Sequence, residues 1–414
     1  MIEKSKHLLI IGFVFPEPAS SAAGSRMMQL IDLFKAQGFQ ITFASPASDS
    51  EFAVDIEKLA IKKVSIILND ASFDHFVTEL NPDIVLFDRF MMEEQFGWRV
   101  SENCPNAIRI LDTEDLHCLR LARQNAWKLN VPFKNEMLFN DVAKREIASI
   151  LRCDLSLIIS EFEMDILQNI FQISPAILHY LPLFIEVELL NKRQYLPTFN
   201  ERKHFIFIGN FLHEPNWNAV LYLKESIWTK IKEKLPETEL HIYGSYSSQK
   251  VLNLRNQLQG FIIKNRAEEV YEAMKTAKVC LAPLRFGAGI KGKLLDAMIG
   301  GTPNGTTSIG AESMHGKLPW SGFISDDIDD FVASAVELYT NEISWKQAQI
   351  NGFEICEKRY LKKIFESDFS ELINQIEKNI VKRRQNNFMG EILKHHTVSS
   401  TKYMSKWIEA KNMK

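Results

Sequence analysis

The 414 residues include only five cysteines, Cys104, Cys118, Cys153, Cys280 and Cys356, an odd number with no C-x-x-C spacing. Such a set indicates neither a disulfide framework nor a zinc site, and it fits a reducing compartment. Long apolar runs are missing too. The N-terminal run HLLIIGFVF has nine residues, well short of the ~20 that span a bilayer. It leads into Pro16 and Glu17 rather than a small-residue cleavage site, so it reads as a buried first strand of a cytoplasmic protein. No surplus of one charge exists: the net value of -3 provides no general attraction to nucleic acid. Nor does a G-x-G-x-x-G motif follow the first strand, where a dinucleotide fingerprint normally lies. His395 and His396 are adjacent, which puts them on different helix faces and leaves no metal site.

What is present is alternation. Short apolar runs (HLLIIGFVF, ITFA, VSIIL, DIVLFD, AIRILD, LSLIIS, AILHYL) are separated by segments of helical period, which means βαβ units and a parallel sheet. Ser160 and Glu163 in SEFE form a capping-box start for the helix after LSLIIS. After a polar stretch with Pro197 the pattern begins again with FIFIGN, HIY, GFII and VCLAP. The length accommodates two such units. The expected fold is therefore α/β, with two doubly wound Rossmann-like domains facing across a cleft and helices at the C-terminus. The boundaries read as 1–182 (first domain), 183–203 (linker), 204–356 (second domain), 357–380 (a crossover helix) and 381–414 (a basic tail).

Chemistry concentrates in Val279–Glu312. An apolar run is followed by a loop with Gly287, Gly289 and Gly292, and then by a helix-period segment carrying Leu294, Leu295 and Met298. Glycines let backbone N–H groups approach an anion, and the helix N-terminus adds its dipole. Arg285, Lys291 and Lys293 converge on this loop, which suits a diphosphate. Residues 287–292 also spell GAGIKG, and Glu312 lies where a ribose-binding acid of a dinucleotide oxidoreductase would lie. Ahead of it, Asp112, Glu114, Asp115 and His117 form a polar cluster just past a strand end, a place for a group that contacts a sugar or handles a proton. The acids of SDDIDDF sit where they would cap the following helix.

APLRFGAGIKGKLLDAM, followed by GTP and TTSIGAE, resembles the donor-sugar loop of glycosyltransferase family 4, a GT-B family with bacterial surface-polysaccharide members. PEPASSAAGSR (16–26) resembles that family's N-domain glycine loop, LDTEDLHCLR (111–120) a segment found in some bacterial members, and FIGNFLHEPNWNAV (207–220) the head of its second domain. The resemblance spans roughly residues 8–380. It implies transfer of a hexosyl group from a nucleotide-diphosphate sugar to a saccharide or lipid-linked acceptor, with retention and without a metal or resident cofactor. It assigns donor binding to Gly24, Gly209, Asn210, Arg285, Gly287, Gly289, Lys291 and Asp296, and catalytic contacts to His117 and Asp115.

The chain departs from the family pattern in four places, three of them at the donor site. Asn210 and HEPN stand where many members place an Arg and a Lys, Ala288 occupies the position of the first of two glutamates, and Asp296 replaces the second. A catalytically inactive GT-B binding module is therefore the alternative reading. NGTT at 304–307 replaces a more apolar strand, which would loosen that edge of the sheet.

At the C-terminus, Ile355–Ile380 reads as one amphipathic helix returning to the first domain. Residues 381–414 carry eight Lys or Arg against two Glu. Phe388/Met389 with Ile392/Leu393, and Tyr403/Met404 with Trp407/Ile408, suggest two basic amphipathic helices. These would either dock on an anionic membrane face or pack on the rest of the chain.

Overall fold

The strand runs are apolar on both faces, as required of parallel strands covered by helices on either side. In the structure, a computed structural model describing residues 6–395 together with Tyr403, Trp407 and Lys411, they form two all-parallel sheets. The first contains β1 (His7–Ile11), β2 (Gln40–Ser45), β3 (Lys62–Ser65), β4 (Ile84–Asp88), β5 (Ile108–Asp112), β6 (Leu155–Ile158) and β7 (Leu178–Tyr180). Its spatial order is β3-β2-β1-β4-β5-β6-β7. The second contains β8 (Lys203–Ile208), β9 (Leu240–Tyr243), β10 (Phe261–Ile263), β11 (Ala277–Ala282), β12 (Asn304–Thr306) and β13 (Gly322–Ile324), ordered β10-β9-β8-β11-β12-β13. Each sheet reverses its winding direction once, between β1 and β4 and between β8 and β11. Ligands of open α/β sheets bind at these switch points, outside the carboxyl ends of the strands.

Each sheet is covered on both faces by apolar side chains. Helix starts follow the expected chemistry: Ser21, Asn140, Ser160 and Asp327 each accept a first-turn N–H. The chain leaves the first domain and returns to it side by side. Ile185 donates its N–H to Tyr360 O at 2.7 Å, and Lys362 donates to Ile185 O at 3.0 Å. Helix Glu366–Asn386 then packs Phe369, Ile373 and Ile376 into the first domain's core, with Phe369 edge-on to Phe34 at 5.4 Å.

Three expectations are corrected. The returning helix is not continuous over 355–380: helix Glu342–Arg359 stops at Tyr360, and Leu361 forms a β-bridge to Ile185 before a new helix starts at Glu366. The strand in VSIIL ends at Ser65, and Ile67 is 62% exposed, because β3 is the edge of its sheet and no described residue covers that end. Residues 304–306, conversely, are no edge. β12 is fully buried between β11 and β13, and Thr306 settles its hydroxyl on Ala282 O at 2.7 Å.

The described part of the tail packs at the amino ends of the first sheet's strands, opposite the switch point. Arg384 pairs with Asp154 at 2.8 Å and donates to Ala107 O at 2.7 Å, while Asn387 donates to Leu151 O at 2.7 Å. The second apolar pair lies outside the described residues except for Tyr403 and Trp407, which are exposed. His396 is outside them as well. Among the described residues no helix is long and apolar enough to cross a membrane.

Candidate active site

The two switch points face each other across a cleft of about 560 Å³ lined by loops from both domains. On the first-domain side the loop after β1 is anchored by Phe13 N–H, which donates to Asp88 at 3.0 Å. Its Glu17 reaches across the cleft to accept from Tyr246 Oη at 2.7 Å. The loops after β4 and β5 place two non-glycine residues in the left-handed region, Arg89 (φ 70°) and Glu114 (φ 61°), and both line the cleft. Such strain persists only where surrounding structure over-determines it, and it collects at functional sites. Beneath them Asp112 is fully buried against Arg26 at 2.8 Å, fixing the end of β5 to the helix Ala22–Ala36. Burial, followed by the Asp112 charge, pushes the Glu114 carboxyl well above its usual value.

Asp115 and His117 both line this side. Burial would raise the Asp115 carboxyl, but Arg120, then His117 and His213, outweigh it and hold the group far below the ordinary carboxylate range. His117 Nδ1 lies 3.2 Å from Asp115 O, its N–H donates to Glu146 at 2.9 Å, and its ring meets Phe90 edge-on. These contacts hold the imidazole at the start of helix His117–Lys128.

On the second-domain side, Gly209 and Asn210 follow β8, while Gly287, Gly289 and Lys291 follow β11 and lead into helix Gly292–Ile299, which carries Asp296. Lys291 is only 7% exposed and donates to its own loop, to Gly289 O at 2.6 Å. The half-buried Lys293 pairs with the neutral Asn216 and lies over the Phe207 ring at 4.8 Å. Neither ammonium has a carboxylate within ion-pair distance among the described residues. Burial lowers both to about 8. Burial likewise raises the Asp296 carboxyl to about 7, with Lys293 opposing it.

Two assigned residues are elsewhere. Gly24 does not line the cleft. Its N–H donates to the Ser21 hydroxyl at 3.0 Å, and a Cβ there would lie 2.4 Å from the Glu17 backbone, so this glycine lets the loop fold over the helix start. Arg285 is also outside: it donates to Asn218 at 2.8 Å and is sandwiched between the Trp127 and Tyr222 rings. In this structure the guanidinium is engaged in packing and is not aimed into the cleft. Within the cleft, Gly289 N–H is engaged by Glu163 at 2.9 Å and Gly209 N–H by Tyr243 O at 3.1 Å. Both glycines therefore serve close approach. A Cβ on Gly289 would meet Asp115 Cβ at 3.0 Å.

Glu312 is held in a bidentate pair by Arg123 of the first domain, at 2.6 and 2.8 Å, and Arg123 also donates to Gly287 O. Glu312 is thus not free for a ribose, and GAGIKG follows the fourth strand of its sheet, which counters the dinucleotide reading. Arg89, Arg120, His213, Tyr246 and Arg266 line the cleft without having been singled out in the sequence. A lone Arg or Tyr in a loop carries no pattern, and only the position just past a strand end could have marked Arg89.

The same architecture is found in solved structures. Sucrose-phosphate synthase from Thermosynechococcus elongatus superposes with a TM-score of 0.66 at 12% identity, over 90% of this chain and 99% of that one. A glycosyltransferase from Rickettsia africae ESF-5 gives 0.64 at 12% identity over 91% and 100%. HepE from Anabaena, solved with UDP and glucose, gives 0.64 at 10% identity over 89% and 99%. The fold is GT-B. Residues 202–341, about a third of the chain, also match the glycosyl transferases group 1 family. No curated protein sequence matches the chain. The matched segment contains the whole second-domain wall of the GT-B cleft, and segment and fold together support a GT-B glycosyltransferase.

Proposed function

We propose that this protein transfers a hexosyl group from a nucleotide-diphosphate sugar to a saccharide or lipid-linked acceptor. One observation carries the reading: the buried Lys291 and the half-buried Lys293 stand at the floor of an interdomain cleft with, among the described residues, no carboxylate within ion-pair distance of either. Buried charge without a countercharge is costly, and a diphosphate supplies one. Lys293 reaches the loop after β8 through Asn216, on the side where the family's Arg and Lys are missing. HepE's complex with UDP and glucose makes a UDP-sugar the first donor to test.

In this mechanism the bond from the anomeric carbon to the diphosphate oxygen breaks as the acceptor hydroxyl oxygen attacks from the same face and gives its proton to the departing diphosphate oxygen. The two lysines stabilise the charge growing on the leaving diphosphate. Asp296 receives the ribose hydroxyls, and His117, steadied by Asp115 and Glu146, contacts the donor sugar or acceptor. The cleft mouth carries Phe13, Val14 and Leu212, all exposed, which suits an acceptor with an apolar portion. We place the enzyme in the cytoplasm. Membrane contact through the tail would use the exposed Phe388, Met389 and Ile392, a face remote from the cleft.

The second reading, a GT-B module without turnover, is favoured by the engaged Gly209 and Gly289 N–H groups and by Arg285 facing away. A thermal-shift screen against UDP, GDP, ADP, CMP and their sugars separates the two. Ligand at 100 times Kd adds about 2.7 kcal/mol. A shift followed by hydrolysis or transfer supports the enzyme; a shift without any turnover supports the module; no shift from any nucleotide rejects the donor site.

A further inference from the structure

Glu163 opens the short helix after β6, where Ser160 and Glu163 look like a capping box. The Ser160 hydroxyl does accept the Glu163 N–H at 3.2 Å. The Glu163 carboxylate, however, goes elsewhere. Its Oε1 accepts two backbone N–H groups at once, Leu116 of the first domain at 2.8 Å and Gly289 of the second at 2.9 Å. The side chain is fully buried, and its Oε2 has no hydrogen-bond partner. A buried oxygen left unmade is costly, so a purely local cap would not select this arrangement. The bridge between domains is what it achieves.

Gly289 is the peptide unit through which the effect passes. Glu163 holds its N–H, while its carbonyl accepts the Lys291 ammonium at 2.6 Å. Neighbouring contacts join the same two domains: Arg123 donates to the glycine loop at Gly287 O, 3.0 Å, and the Ser313 hydroxyl accepts Phe162 N–H at 3.0 Å. We propose that Glu163 is a positioning residue whose carboxylate fastens the second domain's glycine loop to the first domain and so sets where Lys291 stands in the closed cleft. The part of this that concerns donor binding rests on the function proposed above; the fastening itself does not.

The groups facing Glu163 are Asp115 from the loop after β5, Lys291 from the glycine loop, Arg26 from the first helix and Cys118 from helix His117–Lys128. Burial, then the Asp115 charge, raises the Glu163 carboxyl to about 7. The anionic form is the stronger acceptor for two N–H donors. Loop protection should therefore weaken as pH falls through neutrality.

Hydrogen exchange on the full chain tests this. In Glu163→Ala, peptides covering 284–295 should exchange at least about tenfold faster while peptides of β1 and β8 stay as in the wild type, and Glu163→Gln, which keeps an acceptor oxygen, should restore protection. In the wild type, protection of 284–295, corrected for intrinsic exchange, should fall between about pH 8 and pH 6, and Glu163→Gln should lose that dependence. Unchanged loop exchange in an Ala variant with an intact core overturns the proposal, as does a Gln variant with the wild-type pH dependence. If the Ala variant does not fold, the Gln comparison decides. UDP titration runs alongside: a wild type that binds no nucleotide removes the donor-site reading and leaves the exchange result to judge the fastening.

Discussion

The two domains wind their first six strands in the same order, yet they present their chemistry differently. The second domain concentrates it in one contiguous unit, β11, the loop 285–291 and helix Gly292–Ile299, with Lys291 and Lys293, neither of which has a carboxylate at ion-pair distance among the described residues, within three residues of each other. The first distributes its side of the cleft over separate loops after β1, β4 and β5 and the start of helix His117–Lys128. Its charges are matched in place: Arg26 with Asp112, Arg120 with Asp115, Arg89 beside Asp88. One side of the cleft thus carries two cations without a carboxylate at ion-pair distance among the described residues, while the other carries ion-paired charges. The family match over 202–341 follows the same division, since a contiguous strand-turn-helix is what a sequence pattern captures.

The largest test of this contrast is Lys291→Ala. Turnover should fall about 10²–10³-fold, as when one charge-stabilising donor is removed from a transition state, with little change in melting temperature. Equal loss of both would end the phosphate role. Next, Arg123→Ala leaves Glu312 without its partner and frees Gly287 O, so the closed state should weaken by about 2–5 kcal/mol. Small-angle scattering should then show a more open particle; an unchanged profile would mean that the pair is incidental.

Lys293→Ala should raise the donor KM by about tenfold or more, the range of a hydrogen bond to a charged group, and change kcat less than Lys291→Ala does. Reversal of that order would reassign the two cations. Asp296 has a folded-state value of about 7 against 3.8, so its contribution to stability is complete below about pH 4 and disappears as pH rises through 7. Asp296→Asn should therefore gain stability relative to wild type between pH 5 and 8, by at most about 4 kcal/mol, read from urea melts at several pH values. The smallest effect belongs to Arg285→Ala. Turnover should change less than about threefold, and stability should drop by about 1–2 kcal/mol from the lost ring contacts. A large kinetic loss there would return Arg285 to the donor site.

Much of the fold was legible because parallel strands buried on both faces must be apolar throughout, and helices between them must keep one apolar face. The break at Tyr360 was not, since Leu361, Ile364 and Phe365 continue a helical period while the backbone pairs with Ile185. In the site, Lys291, Asp296, Asp115 and His117 could be placed in the cleft because each lies just past a strand end or in the helix that follows. That Gly24 and Arg285 fall outside the cleft lining was not legible, because a glycine used for packing and an Arg used for stacking read the same as ligand-binding ones. Glu163 read as a cap because its local pattern is a true cap for the Ser160 hydroxyl; its carboxylate answers to a loop 126 residues away.

The sequence alone determined the α/β alternation, the doubling into two units and the glycine-lysine loop, because these follow from short-range periodicity and turn chemistry. Tertiary structure decided which N–H groups are engaged, which cations have no carboxylate at ion-pair distance among the described residues, and which acids bridge the domains. Those properties depend on burial and on contacts between residues far apart in the chain, such as Arg123 with Glu312 and Glu163 with Gly289.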